Sequence, residues 1–352
     1  YHGFTFNLES GNLDTIVGNP DDPLIGNAGL TTYPVEEAAG LIFVFVRADD
    51  FPDEDVPPLS EDLPLRFPEN SERFPHPLWP ASPSLLDENV MALGIHRTGE
   101  ANWRIACENG FDNAHILVHK DNTIVQANNW VLPLGIRPAS EDCITVFDDE
   151  GGPKGMMQWL FTDRWEPILE NKTLDVKVEG LNSRLYRTSV ILPGVLLVEN
   201  WPEEGVAQYE WYVPITEDTY EYWEVLVKHC PTEEDREQFS YRFDTVYQPL
   251  ALRGFNDCDL HAREAMQDFY ADGTGWQKEQ LVETDISAIM WRKLASRHNR
   301  GIAPPPPGAQ GRDKASSIRL RNVSEGKSPG YFVEKIDDLN NFNRTSVRQR
   351  NK

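Results

Sequence analysis

The middle of the chain alternates apolar and polar residues in the manner of β-strands. Turn signals at Gly151–Gly152 and Pro193–Gly194 divide this region, which runs from about residue 123 to residue 228. Its strongest strand segments are ITVF (144–147), SVILPGVLLV (189–198), AQYEWYVPI (207–215) and YEYWEVLV (220–227). The pattern predicts a long antiparallel sheet.

Helical spacing flanks the predicted sheet on both sides. Apolar positions recur every three or four residues in 84–120 and again in 231–298, which predicts helices. Thr232 precedes acidic residues and is predicted to be an N-cap. Near the start, YPVEEAAGLIFVFV (33–46) turns at Gly40 and predicts a hairpin that ends in a buried strand. Strands and helices that do not alternate as βαβ units indicate an α+β fold.

Composition marks two boundaries along the chain. Residues 49–83 are rich in proline and acidic side chains, which is typical of a linker between domains. The low-complexity stretch that begins at Ala303, APPPPGAQGRDKASS, predicts a disordered tail. We therefore expect three parts, with boundaries at 1–57, 58–302 and 303–352.

Charge and cysteine usage narrow the functional class. Residues 301–352 carry 10 basic and 5 acidic side chains, whereas the first 300 residues carry 23 basic and 52 acidic ones. So acidic a body argues against nucleic-acid or anionic-membrane partners. The four cysteines show no CxxC spacing, no signal peptide is recognisable, and no apolar run approaches the roughly 18–20 residues that span a bilayer. These features predict a cytoplasmic protein.

The segment CENGFDNAHILVH (107–119) carries candidate metal chemistry. On a helix over 108–120, His115 and His119 would share a face, with Asp112 three residues before the first histidine. Two imidazoles at this spacing can bind one divalent ion. Exposed surface histidines are the alternative, but the neighbouring residues are mostly apolar.

The type of metal follows from what the segment lacks. A zincin needs glutamate directly after the first histidine, and here that residue is Ile116. Two histidines with a distant carboxylate indicate a non-haem Fe(II) site, which leaves coordination positions open for O₂ and substrate. Spacing alone leaves four candidates for the third ligand, namely Asp257, Asp259, Glu264 and Asp268.

Three segments, in this order, resemble the large subunit of the Rieske non-haem iron oxygenases. They are YHGFTFNLESGNL (1–13), YPVEEAAGLIFVFV (33–46) and NWRIACENGFDNAHILVH (102–119). The resemblance implies a catalytic domain of the helix-grip type, with an antiparallel sheet and flanking helices. It also implies that the C-terminal remnant of an all-β Rieske domain precedes that domain.

The resemblance assigns roles to individual residues. It makes His115, His119 and Asp259 the ligands of Fe(II), and it makes Asp112 the bridge for electrons from the Rieske cluster of a neighbouring subunit. His2 would be a ligand of the Rieske 2Fe–2S cluster. The substrate-pocket positions that it implies are Gly110, Trp201, Gln208 and Phe255.

The sequence departs from the family pattern at its start. A Rieske cluster needs two cysteines and two histidines, and His2 is the one ligand that this sequence retains. We expect the remaining ligands to lie upstream of Tyr1, so that the sequence is a truncated one.

Further segments imply a particular reaction. Residues 209–215, 250–276 and 291–302 resemble oxygenases that act on carbazole, which implies angular dioxygenation of carbazole or a similar fused heteroaromatic. The resemblance further implies a homotrimer that receives NAD(P)H electrons through a reductase and a ferredoxin. Monohydroxylation of a quinolone-like ring is the alternative within the family. A non-catalytic binder of small molecules with the same fold is the alternative from another class.

Overall fold

The structure is a computed structural model, and it describes residues 3–46, 56–61, 63, 83–112, 115–128, 130, 144–148, 154–161, 185–282 and 285–298. The expected tail (303–352), His2, the turn at 151–152 and most of the expected linker lie outside the described residues. The chain divides into two compact units, Tyr1–Leu59 and Ser60–Lys352.

The first unit contains two antiparallel hairpins. Its strands are β1 (Phe4–Phe6), β2 (Leu13–Ile16), β3 (Val35–Ala38) and β4 (Leu41–Val44). Gly40 has a positive φ of 81° in the turn between β3 and β4, which confirms the predicted hairpin. The prediction that its second strand is buried is wrong. Ile42 and Val44 are exposed, because they point away from the one face of this two-stranded ribbon that is partly covered.

The second unit is built on a seven-stranded antiparallel sheet. The strand order is β5-β11-β10-β9-β8-β7-β6, which confirms the predicted α+β class with a long antiparallel sheet. The strands are β5 (Val90–Gly99), β6 (Ile144–Phe147), β7 (Gly155–Phe161), β8 (Leu185–Ile191), β9 (Val195–Glu199), β10 (Val206–Pro214) and β11 (Tyr220–His229).

Strand β5 corrects the helix prediction for residues 84–120. Its sequence, VMALGIHRTG, lacks strict alternation and is rich in residues that a helix accepts. It is nevertheless extended, because it pairs along its whole length with β11, from Val90 opposite His229 to Gly99 opposite Tyr220. This partner lies far away in sequence, so the local pattern carries no trace of it.

The helices are α1 (Trp103–Phe111), α2 (Thr123–Ala127), α3 (Glu233–Arg242), α4 (Asn256–Tyr270), α5 (Gly275–Lys278) and α6 (Ile286–His298). Helix α2 lies where a strand region was predicted. Short 3-10 helices occupy Leu59–Glu61 and His115–Asp121, and a π-helix over Phe243–Phe255 joins α3 to α4. Thr232 caps α3 in a capping box with Asp235, as predicted. Among the described helices, none is long and apolar enough to cross a membrane.

The inner face of the sheet packs against α1, α4 and α6. Phe111, Leu260 and Trp291 from these helices meet sheet residues such as Leu196 and Tyr212 in one apolar core. Further rows of inward-facing residues run across the strands. In one row, Thr188 of β8 and Gln208 of β10 both lie opposite Val198 of β9.

Candidate metal centre

The segment with the two histidines is not one α-helix. Helix α1 ends at Phe111, and Asp112 has extended backbone angles (φ −74°, ψ 120°) before a 3-10 helix begins at His115. The Asp112 carboxylate accepts the backbone N–H of His115 at 2.9 Å. An aspartate that accepts a backbone N–H three residues later starts a new helical turn. The predicted helix over 108–120 is therefore wrong, because Asp112 separates two helices.

This local structure changes how the two histidines meet. A 3-10 helix has three residues per turn, so residues four apart do not lie one above the other as they would on an α-helix. The His115 and His119 rings are nearly perpendicular, at 85°, with centroids 5.6 Å apart. They converge on a third residue instead of stacking.

That third residue is Asp259 of α4. Nε2 of His119 lies 3.1 Å from Asp259 Oδ1, and Nε2 of His115 lies 3.6 Å from the same oxygen. One potential ligand atom from each of these three residues lies within 4.8 Å of the other two. In the part of the chain that the structure describes, this is the one group of three or more such residues that could hold a metal ion.

The other three carboxylates that the sequence left open are placed elsewhere. Asp257 pairs with the buried guanidinium of Arg97. Glu264 accepts the backbone N–H of Glu100 at 3.4 Å, and Asp268 is exposed on α4. Asp259 is therefore the carboxylate that the fold brings to the two histidines.

The charge of Asp259 and the orientation of His115 favour the binding of a cation. Burial alone would raise the pKa of Asp259, but its hydrogen bond with His119 and its electrostatic interactions with His115, His119 and Arg263 lower it to about 2. The carboxylate is thus ionised at neutral pH. Nδ1 of His115 faces the backbone oxygen of Asp112, which leaves its Nε2 for a metal. Two imidazoles and one carboxylate fit a non-haem iron centre with open positions.

A cleft opens beside the three residues, and its space free of protein atoms is about 590 Å³, including its mouth to solvent. Gly110, Trp201, Gln208 and Phe255, the four predicted pocket positions, all line it together with His115 and Asp259. One wall is aromatic. Phe255 lies 4.4 Å from the His119 ring and 5.1 Å from the Trp201 ring, measured between centroids. The cleft therefore offers a flat ligand an apolar wall next to the metal residues.

Gly110 allows α1 to approach the sheet closely beside the cleft. A Cβ atom at this position would lie within 2.3 Å of the Tyr212 hydroxyl and 2.9 Å of the Leu196 side chain. The Tyr212 hydroxyl cannot move away freely, because it donates to the buried carboxylate of Glu210. Any other residue at position 110 would push α1 away from β9 and β10.

Sequence reasoning missed four polar residues of the cleft, which are Thr188, Glu210, Asn256 and Arg263. Glu210 is buried and accepts hydrogen bonds from Tyr222 Oη at 2.7 Å and Gln208 Nε2 at 2.5 Å. The strand period of two places Glu210 on the same face as Gln208 and Tyr212. A carboxylate at an inward position of AQYEWYV was the signal that could have revealed it.

The residues that the structure describes do not include a Rieske ligand set. Cys107 packs in the core around α1, Cys230 packs in a separate core cluster, and Cys258 is exposed on α4. His2 and Cys143 lie outside the described residues. In the described part of the chain, no cysteine pair lies near a histidine pair.

Comparisons with known proteins show which family the chain belongs to. A family described as homotrimeric ring hydroxylase matches residues 51–303. The carbazole 1,9a-dioxygenase terminal oxygenase component of Metapseudomonas resinovorans is 38% identical over 312 residues, which are 86% of this chain and 74% of that protein. A solved component of 2-oxoquinoline 8-monooxygenase is 68% identical, with a TM-score of 0.79, and the match covers 96% of this chain and 79% of that one.

A third relative is a solved complex. It is the reduced complex between oxygenase and ferredoxin in carbazole 1,9a-dioxygenase, with 37% identity, a TM-score of 0.67, and coverage of 86% of this chain and 73% of that one. The family match spans most of the sequence, and the relatives confirm the resemblance drawn from the segments 1–13, 33–46 and 102–119. The chain belongs to the homotrimeric ring hydroxylase family and is an aromatic-ring-hydroxylating oxygenase.

Proposed function

We propose that the chain is the terminal oxygenase component that hydroxylates a fused heteroaromatic ring at an Fe(II) held by His115, His119 and Asp259. The observation that carries this proposal is the convergence of three ligand atoms within 4.8 Å at the wall of a cleft with an aromatic side. All three residues lie in the compact unit Ser60–Lys352, which supports assigning catalysis to the domain expected over 58–302.

The residues around the iron have separable tasks. Iron, when bound, supplies the activation of O₂ at positions that its three protein ligands leave open. Asp259 would supply the negative charge of the ligand set, while the backbone oxygen of Asp112 orients the ring of His115 with Nε2 toward Asp259. Phe255 and Trp201 hold a flat substrate by apolar contact and exclude water from that wall.

Asp112 is the proposed entry point for electrons. Its side chain is about 30% exposed and also accepts the backbone N–H of His115, so it connects the surface of the chain to a metal ligand. The solved oxygenase–ferredoxin complex of a relative supports a ferredoxin as the electron donor, fed from NAD(P)H by a reductase. A Rieske 2Fe–2S cluster, with His2 among its ligands, and a cytoplasmic location belong to the same proposal.

Two substrate types remain candidates. The relative at 68% identity is named for 2-oxoquinoline, which favours monohydroxylation of a quinolone-like ring. The relative at 38% identity is named for carbazole, which supports angular dioxygenation of carbazole or a similar ring. The polar residues Thr188, Gln208 and Glu210 in the cleft suit the more polar 2-oxoquinoline better.

Product analysis with ¹⁸O₂ tests the proposal and separates the two substrates. The native trimer is supplied with ferredoxin, reductase and NADH, and then with 2-oxoquinoline or carbazole. One labelled oxygen on the quinolone ring supports monohydroxylation, whereas a diol from carbazole with two labelled oxygens supports angular dioxygenation. Label in neither product would overturn the proposed function. The Asp259→Ala enzyme is the control for reactions that do not need the iron site.

A further inference from the structure

Two buried polar atoms at the cleft have no protein partner. Oγ of Thr188 and Oε1 of Gln208 form no hydrogen bond with any residue that the structure describes, although the two residues are only 4% and 2% exposed. Both residues line the cleft beside the metal residues. A buried polar atom without a partner weakens a fold considerably, so such atoms at a binding cleft indicate that the ligand supplies the partner.

The orientation of the Gln208 amide follows from its neighbours. The Glu210 carboxylate receives hydrogen bonds from the hydroxyls of Tyr212 and Tyr222 and from Nε2 of Gln208. A carboxylate that is supplied with three donors acts only as an acceptor, so it holds the NH₂ end of the Gln208 amide. The free end of that amide is therefore the oxygen, which can accept a hydrogen bond but cannot donate one.

The two atoms belong to one row of the sheet. Thr188 and Gln208 both lie opposite Val198, which also lines the cleft. Their backbones are two strand spacings apart, or roughly 10 Å, and the long Gln208 side chain can close much of this distance. A flat ring that packs on Val198 thus has an acceptor on one side and a hydroxyl on the other.

We propose that Thr188 and Gln208 recognise a ring amide, in which an N–H group stands next to a C=O group. Oε1 of Gln208 accepts the hydrogen bond from the ring N–H, and Oγ of Thr188 donates to the ring carbonyl. This inference rests on the proposed function and adds what selects the substrate. Carbazole offers the N–H alone and would leave Thr188 unpaired, so the pair discriminates in favour of ring amides.

Binding to the native trimer tests this proposal without turnover. Dissociation constants are measured anaerobically for 2-oxoquinoline, for its N-methyl derivative, which lacks the N–H, and for naphthalene, which lacks both groups. Thr188→Val removes the hydroxyl at constant shape, and Thr188→Ser is the matched control that keeps it. We expect Thr188→Val to weaken both quinolones about 10-fold, to leave naphthalene unchanged, and to differ clearly from Thr188→Ser.

A Gln208 variant gives a separate prediction in the same binding experiment. Gln208→Met removes the acceptor at similar volume, so the preference of the trimer for 2-oxoquinoline over its N-methyl derivative should largely disappear. Equal weakening of all three ligands, or no change with Thr188→Val, would overturn the proposal. Ring hydroxylation by the wild-type trimer is scored separately with ¹⁸O₂. If product forms but Thr188→Val changes no affinity, the recognition idea fails while the proposed function stands.

Discussion

Two aspartates of α4 show how one helix serves two different regions of the molecule. Asp257 and Asp259 are both buried, with 1% and 7% of their surface exposed. Two residues correspond to roughly 200° around an α-helix, so the carboxylates point in nearly opposite directions. Asp257 meets Arg97 at the sheet, whereas Asp259 meets His115 and His119 at the cleft.

The partners decide what each aspartate can do. Arg97 is permanently charged and donates to Asp257, to Glu224 and to the backbone oxygen of Leu252, so that region is a closed ionic cluster. The imidazoles beside Asp259 can instead turn lone pairs toward a shared cation. Burial of an acidic residue therefore does not identify a metal site, but the coordinating ability of its neighbours does.

The largest effect is expected from removing Asp259, the aspartate at the cleft. Asp259→Ala deletes one of three proposed iron ligands, and we expect iron per chain to fall close to zero and hydroxylation to fall at least about 10⁴-fold, which corresponds to more than roughly 5 kcal/mol. The fold should persist, because Arg263, the permanent charge that acts on Asp259, keeps its hydrogen bond to Asn109. Metal analysis and circular dichroism measure the two results. Asp268→Ala, at an exposed position of the same helix, is the control, and full iron retention in Asp259→Ala would refute the ligand assignment.

Substitution of Asp257, the aspartate in the ionic cluster, should lower the stability of the fold and leave iron binding unchanged. Asp257→Asn weakens the ionic cluster around Arg97, and breaking a buried ion pair costs about 3–5 kcal/mol of folding free energy. We expect a lower urea midpoint but unchanged iron per folded chain. Iron loss without destabilisation would mean that Asp257 belongs to the metal site after all.

Glu224, which also pairs with Arg97, adds a prediction about pH, because its pKa is raised whereas the pKa of Asp259 is lowered. Burial, together with the charge of Glu210, raises the pKa of Glu224 to about 7 in spite of Arg97. The folded state then holds this proton more tightly than the unfolded chain, in which the pKa is 4.5. The stabilisation that protonated Glu224 contributes to the folded state is therefore fully present below pH 4.5, and it is lost as the pH rises toward 7.

Glu224→Gln isolates that contribution. Between pH 4.5 and 7.5 the wild type should lose up to about 3 kcal/mol of unfolding free energy through this group, and the variant should lack that part of the slope. Urea unfolding at several pH values measures it. Identical slopes in the two proteins would show that Glu224 does not titrate in this range.

The sequence predicted what depends on local pattern. Alternation in AQYEWYVPI and YEYWEVLV identified β10 and β11, and Thr232 with its acidic neighbours identified the start of α3. Residue type and spacing also singled out His115 and His119 as a pair. These features can be predicted because each depends on residues within one turn or one strand.

The misses depend on contacts between distant parts of the chain. Strand β5 exists because β11 pairs with it, and Thr188 reaches the cleft only through the register of β8 with β9. Spacing could not choose Asp259 over Asp257, because that choice depends on which face of α4 turns toward the histidines. The break at Asp112 was locally encoded, but an aspartate capping signal within an apolar run was not recognised as a helix boundary.

A third aspartate, Asp112, extends the comparison, and its substitution is expected to have the smallest effect. Asp112→Asn keeps an oxygen that can accept the N–H of His115, and it keeps the backbone oxygen that faces Nδ1 of His115. The variant therefore loses the negative charge alone. We expect iron binding and substrate binding to stay near the wild-type level while coupled turnover with ferredoxin falls about 10–100-fold.

Single-turnover and steady-state rates, measured with matched iron content, separate the two roles of Asp112. Asp112→Ala is the complementary variant, because it also removes the side-chain cap on the 3-10 helix and should lower iron content as well. If Asp112→Asn turns over at a near-normal rate while Asp112→Ala loses iron, the carboxylate only shapes the chain around His115. A slow Asp112→Asn enzyme with full iron would instead place this charge on the electron path. The charge of Asp112 would then differ in role from those of the two buried aspartates, because it neither binds the metal nor belongs to an ionic cluster that stabilises the fold.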